Sequence, residues 1–276
     1  MSILLPDGSP KRRALVTGAS SGLGEELARQ LAARGYDLVL TARRRERLEA
    51  LAAELRAKRG IDVLVLACDL GSPGAPAQIV ATLEERRMPI SLLVNNAGFG
   101  VHGFAVEQSL TRQLEMIDLN VRALTELSLS LGAQMAARGS GAILNVASTG
   151  AFQPTPYVAA YAATKAYVLS FSHALAWELG PRGVKVLALC PGATKTEFFE
   201  AGQVHVAVND FFYMTAERCA RIALRALDGG RHVVVAGWLN AIGAWFARVM
   251  PQWLVVPVTA RLLRPAARPG LPGMKG

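Results

Sequence analysis

Past Asp228 the chain has no acidic residue, although Arg231, Arg248, Arg261, Arg264, Arg268 and Lys275 all lie there. The net charge of +9 is therefore concentrated: six of the nine excess positive charges sit in this last stretch. A nucleic-acid binder would carry a basic face interleaved with aromatics, or a recognisable motif. The rest of the chain has neither, so no nucleic-acid partner is expected. Cysteine is sparse. Cys68, Cys190 and Cys219 are odd in number and widely spaced, which excludes a disulfide framework and a thiolate metal site. They read as reduced thiols of a cytoplasmic protein. The four histidines show no ligand spacing, so no metal is expected. Long apolar runs are missing too. The N-terminal MSILLPDGSPKRR reads as no signal peptide. The C-terminal apolar stretch is broken by Asn240, Arg248, Pro251 and Pro257 and reads as no spanning helix.

What remains is rich in hydrophobic residues, 51% of 276, enough for a sizeable core. Short β-branched runs alternate with helical stretches. Strands are expected at 14–17, 37–41, 62–67, 91–94, 142–146, 184–189 and 232–236. Helices are expected at 23–34, 45–58, 78–87, 111–138, 157–179 and 216–227. Apolar strands separated by helices predict a parallel sheet covered on both faces. With right-handed crossovers this is a doubly wound, Rossmann-like α/β fold in a single domain. The domain is expected over residues 11–237, with a short segment, 1–10, before it and an apolar, basic tail, 238–276, after it.

The first strand runs into TGASSGLG, residues 17–24. Gly18, Gly22 and Gly24 between a strand and a helix are suited to a phosphate, because the backbone can approach a pyrophosphate at the helix N-terminus. The second strand ends LTARRR. A fold that prefers NAD usually has an acid here for the adenosine 2′-hydroxyl; this chain has Arg43, followed by Arg44 and Arg45. A guanidinium suits a 2′-phosphate, so NADP(H) is expected, with water-facing arginines as the bland alternative. Asp69, beside Leu70, either accepts from an adenine amine or caps the following turn. In NNAG, residues 95–98, small Ala97 and Gly98 permit close approach of a flat ring, with Asn96 beside them. In YAATK, residues 161–165, Tyr161 and Lys165 share one helix face, and a nearby cation favours the phenolate.

Taken together, TGASSGLG, Asp69, NNAG, Asn120, Ser148, YAATK and the PG at 191–192 resemble the short-chain dehydrogenase/reductase family. The likeness runs from about residue 11 to 237. It implies hydride transfer between NAD(P)H and carbonyls or alcohols. By that resemblance Tyr161 is the general acid/base and Lys165 poises it and reaches the nicotinamide ribose. Ser148 holds the substrate oxygen, and Asn120 holds a water in a relay to Lys165. For Asn120 the alternative is a buried side chain that merely bonds backbone. Ser20, Ser21 and Leu23 would line the phosphate site. Pro191 and Gly192 would turn the chain beneath nicotinamide, and Thr194 and Thr196 would hold its carboxamide and the phosphates.

Phe198, Phe199, Phe211, Phe212 and Tyr213, with Phe99, Phe104 and Phe152, suggest an apolar pocket for a lipophilic carbonyl or alcohol substrate. His102 reads as a loop residue rather than a catalyst. The tail, with Trp238, Trp245 and Trp253, is expected to serve as a lid, a subunit contact or a peripheral membrane segment. The resemblance also implies a homo-oligomer. Two other functions compete with reduction: a non-catalytic NADP-binding regulator, and an isomerase or epimerase that uses hydride transiently.

Overall fold

A computed structural model describes residues 12–193 and 214–265. Among them, seven strands form one parallel sheet: β1 (Arg13–Thr17), β2 (Asp37–Ala42), β3 (Val63–Ala67), β4 (Leu92–Asn95), β5 (Gly141–Val146), β6 (Val184–Cys190) and β7 (Val233–Val235). Their order is β3-β2-β1-β4-β5-β6-β7. The doubly wound fold anticipated from the sequence is thus the observed one. Successive residues of a strand point to opposite faces, so each strand feeds two cores. Ala14 and Val16 of β1 join one apolar layer and Leu15 joins the other. The first is covered by α1 (Gly22–Ala33), α2 (Arg45–Arg59) and α7 (Ala216–Asp228), through Leu27, Leu48 and Leu224. The second is covered by α3 (Ala75–Glu85), α5 (Leu124–Ala137) and α6 (Ala159–Leu179), through Ile79, Leu127 and Leu175. Each fully buried leucine contributes about 1.5–3 kcal/mol, which is why the strand sequences can be apolar throughout.

Three boundaries differ from the sequence reading. The single helix expected over 111–138 is divided. It runs as α4 (Leu110–Ile117), widens into a π-helical turn at Asp118–Ala123, and resumes as α5. Apolar spacing carries across this point, so nothing periodic marks the insertion. The π turn draws Asn120 inward, and such turns often sit at functional sites. The expected helix over 157–179 starts at Ala159, because Tyr157 has φ +67°, outside the right-handed helical region. Helix α3 starts earlier than expected, at Ala75, with Pro76 in a first turn that needs no donor from it. Beyond β7 the chain folds into α8 (Trp238–Val249) and α9 (Gln252–Leu263), where the sequence reading assigned no element.

A buried polar ladder ties β4 and β5 to the helices above them. The Asn95 amide donates to Ser128 Oγ and to Asn145 Oδ1, both at 2.9 Å. Asn145 donates onward to Ser172 Oγ at 2.9 Å, and Ser172 to the Val168 carbonyl at 2.6 Å. All four side chains are buried, so a missing partner leaves a desolvated polar group. Asn145→Ala is expected to lower stability by about 1–3 kcal/mol. Urea unfolding should show this as a reduced midpoint with an unchanged slope.

Candidate active site

The strand order reverses between β1 and β4, and doubly wound sheets bind ligands outside the carboxyl ends of the strands at that crevice. The side chain of Thr17, the last residue of β1, joins the two strands there. Its Oγ1 accepts the backbone N–H groups of Asn96 and Ala97, both at 2.9 Å, and donates to the Val94 carbonyl at 3.2 Å. Gly18 follows with φ +66°. The Asn96 amide donates to the Thr17 and Gly18 carbonyls at 3.0 and 3.2 Å. A Cβ on Gly24 would stand 2.3 Å from the Gly18 carbonyl oxygen and 2.4 Å from Asn96 Nδ2. TGASSGLG therefore folds as a tight turn held by NNAG. Asn96, read in the sequence as a cofactor contact, is seen here as a clamp on that turn. Helix α1 opens at Gly22, after the extended Ser21, with no side chain capping its first amides.

Arg44, not singled out in the sequence over its neighbour Arg43, reaches across this turn. Its guanidinium donates to Ser20 Oγ at 3.1 Å and to Ser21 Oγ at 2.7 Å. Arg43 is exposed beside it at the start of the same loop. The signal for Arg44 was the tandem of arginines; which one turns toward the serines is decided by the backbone. Asp69 is exposed and its Oδ1 accepts the Gly71 N–H at 3.0 Å, the turn-capping geometry weighed in the sequence. Leu70 is buried beside it.

The second half of the site is built on β5, β6 and α6. Ser148 follows β5 and caps the 3₁₀ turn Thr149–Phe152, its Oγ accepting the Gly150 N–H at 3.1 Å. The Thr149 N–H donates to the Pro191 carbonyl at 2.9 Å, fixing that turn to the end of β6. Lys165 is buried and its Nζ donates to the Val146 carbonyl at 2.8 Å. That ammonium stands 5.9 Å from the centre of the Tyr161 ring. A Cβ on Gly98 would lie 2.8 Å from Asn120 Oδ1 and 3.6 Å from Lys165 Nζ, so glycine at 98 leaves both groups room. Asn120 Nδ2 donates to the Phe99 carbonyl at 2.9 Å and to Thr164 Oγ1 at 3.1 Å, and its Oδ1 accepts the Phe99 N–H. Its side chain thus makes the backbone bonds that were the alternative to a relay. Thr164, which the sequence gave no reason to choose, links Asn120 to the Tyr161 carbonyl at 2.7 Å.

The electrostatics correct one expectation. Lys165 was expected to lower the Tyr161 pKa. In the protein itself burial dominates and pushes the phenol up to about 12, while a hydrogen bond from Ser148 draws it part of the way back. Burial likewise lowers Lys165 to about 8, offset in part by the nearby Cys190. The amine is anchored on a carbonyl rather than on the phenol.

Phe152, Pro154, Pro156, Ala162 and Ala166 line an apolar cavity of about 490 Å³, closed on one side by Val256 of α9. Phe104 packs edge-on against Tyr157 at 5.1 Å, whereas Phe99 is buried beneath Arg112, 3.9 Å from its ring centre. His102 Nε2 lies 2.8 Å from the Leu263 carbonyl, a structural contact with the tail. Gly192 packs under Asn240 of α8. Thr194, Thr196 and the aromatic residues at 198, 199 and 211–213 lie outside the described residues. A larger depression, of about 610 Å³, lies at the opposite end of β5 and β6, near Gly139 and Arg182, away from these groups.

The sequence profile of the short chain dehydrogenase family matches residues 12–204. The chain belongs to the short-chain dehydrogenase/reductase family. A short-chain dehydrogenase from Sphingobium yanoikuyae, solved in complex with NADPH, is 35% identical; the match covers 87% of this chain and 97% of that one, with a TM-score of 0.78. The bulky-bulky ketone specific alcohol dehydrogenase from Comamonas testosteroni is 31% identical over 95% of this chain and 99% of its own, with a TM-score of 0.74. A very-long-chain 3-oxoacyl-CoA reductase from Podospora anserina is 37% identical over 182 residues, 63% of this chain and 52% of that one. This short-chain dehydrogenase is accordingly an oxidoreductase of carbonyls and alcohols that uses a nicotinamide cofactor.

The buried amine has a consequence for stability. With its folded pKa at about 8 against an ordinary 10.5, the unfolded chain binds more protons between those values, so Lys165 makes stability rise with pH through that window. Below about 8 its penalty is fully present. Thermal unfolding of the protein without cofactor between pH 7.5 and 9 should show a midpoint that rises with pH relative to that of Lys165→Met. An equal rise in the variant would locate the effect elsewhere.

Proposed function

We propose that this short-chain dehydrogenase transfers hydride between NADPH and a lipophilic ketone or aldehyde, or the reverse from the alcohol. The observation that carries the reading is the grouping of Ser148, Tyr161 and Lys165 beside a glycine turn and NNAG loop so tight that a side chain at Gly18, Gly24 or Gly98 would strike Asn96, the Gly18 carbonyl or Asn120. That turn suits a dinucleotide: glycine keeps its backbone bare at the start of α1, where a pyrophosphate would lie and where the Ser21 side chain makes no cap hydrogen bond. Arg44, which already crosses the glycine turn to Ser20 and Ser21, and Arg43 beside it would meet a 2′-phosphate with charge-assisted hydrogen bonds. Bound there, NADPH supplies the hydride.

The chain's own residues would manage the oxygen and its proton. Ser148 and Tyr161, hydrogen-bonded to each other, would both present hydroxyls to the substrate oxygen. A phenol raised to about 12 stays protonated at neutral pH, so Tyr161 holds a proton to donate. Negative charge developing on the oxygen draws that proton across, since an alkoxide is a stronger base than a phenolate. Lys165, charged at pH 7, would stabilise the tyrosinate left behind. Asn120 would hold the backbone at Phe99 in place under the ring, with Thr164 fixing it to α6. The apolar cavity between α6 and the turn that follows Ser148 supports a lipophilic substrate. The ketone specificity named for the Comamonas enzyme and the long acyl chain named for the Podospora enzyme agree with that choice.

Tyr161→Phe should reduce NADPH oxidation with a responsive ketone by about 10²–10⁴-fold while leaving NADPH binding intact. An unchanged rate would refute the reading. Net consumption of NADPH also separates reduction from an isomerase or a silent regulator. Arg44→Ala should weaken NADPH by about 10–100-fold relative to NADH, the loss of one charged hydrogen-bonding group. Arg43→Ala in parallel shows which arginine selects the cofactor, and a constant ratio in both would set them aside. A ketone panel graded by chain length should give kcat/KM rising with length; preference for small polar carbonyls would end the lipophilic assignment.

A further inference from the structure

Helix α8 is turned inside out. Its body-facing residues are small or polar: Ala244 is buried, and Asn240 donates to the Ala236 carbonyl at 2.7 Å. Trp238, Ile242, Trp245, Phe246 and Val249 recur at i, i+4, i+7, i+8 and i+11, which is a single stripe. All five are exposed, Trp245 by 59%. An amphipathic helix packed on a water-soluble body normally shows the reverse. Helix α9 also exposes large apolar residues, without the single stripe. Val256 lines the cavity and the Leu263 carbonyl meets His102, while Trp253, Val258 and Leu262 face outward, Trp253 by 73%. Two consecutive helices thus expose a concentration of large apolar side chains in the tail.

The charges carried by these two helices and the residues after them have one sign. Arg248 closes α8, Arg261 lies in the last turn of α9 and Arg264 follows it; all are exposed, and no acidic residue occurs after Asp228. We propose that α8 and α9 dock this enzyme, in the plane of the interface, on an anionic lipid bilayer. Tryptophan favours the boundary between acyl chain and headgroup, and arginine can bury its stem there while its head meets phosphate. Each helix, at 12 residues, is about 18 Å long, and no helix among the described residues is long and apolar enough to cross a membrane. A second copy of the chain fits less well. A two-fold contact would set these arginines against one another with no carboxylate in the segment to pair with them. The inference goes beyond the proposed reaction and does not depend on it.

The test uses the full-length protein with phosphatidylcholine vesicles, with and without phosphatidylglycerol, read by co-sedimentation and tryptophan emission. Binding is expected on the anionic vesicles, with a blue-shifted emission, and weak binding on the neutral ones. The triple variant Arg248→Gln, Arg261→Gln, Arg264→Gln should weaken partitioning by about fivefold per arginine at low salt. Trp245→Glu with Trp253→Glu should abolish it while circular dichroism shows the fold retained. If that pair fails to fold, the arginine variant, altered only on exposed side chains, still decides. The proposal is overturned if the anionic vesicles leave the protein in the supernatant, or if the folded tryptophan variant or the arginine variant binds like wild type. It is equally overturned if light scattering shows a dimer that the tryptophan variant splits, since the face then belongs to a second copy.

Discussion

One hydroxyl holds the crevice together. Thr17 Oγ1 accepts two consecutive amides of the β4 loop and returns a hydrogen bond to the strand they leave. This joins β1 to β4 at the point where the sheet reverses its order. The glycine turn, the Asn96 clamp and the opening beside Gly98 are all placed by that join. Because Thr17 is buried, no water stands ready to take over as partner. Its loss would leave two amides unsatisfied where the two halves of the site meet.

The reacting side of the site is governed by burial instead. A phenol and an amine are both taken out of water, and each is pushed toward its neutral form. The Ser148 hydroxyl for the phenol, and Cys190 for the amine, compensate only in part. The outcome is a tyrosine that keeps its proton and a lysine that remains charged at neutral pH but is close to losing that charge. Neither state can be read from the four-residue spacing, which gives proximity along a helix and says nothing about solvent.

Much of the architecture was visible in the primary structure because its physics is local. Apolar strands announce a doubly covered sheet, and glycines between strand and helix announce a bare turn. The parts that escaped depend on distant packing. The π turn at Asp118–Ala123 interrupts a helix whose apolar spacing never falters, since the cause is Phe99, some twenty residues earlier, claiming the Asn120 side chain. The choice of Arg44 over Arg43 to cross the glycine turn is set by the direction of one loop. Thr164 looked like an ordinary helix residue until Asn120 was placed against it. Tyr157 delays the start of α6 by adopting a backbone that few non-glycine residues take.

The family profile ends at residue 204, yet the chain beyond it enters the core through α7 and β7, and three residues of α8 and α9 also reach back into the body. Asn240 sits over Gly192, Val256 forms a wall of the apolar cavity, and the Leu263 carbonyl takes His102. One wall of the apolar cavity is therefore supplied by polypeptide beyond the family profile, while the others lie within it. Exchanging the tail for another would replace that wall and leave Ser148, Tyr161 and Lys165 untouched.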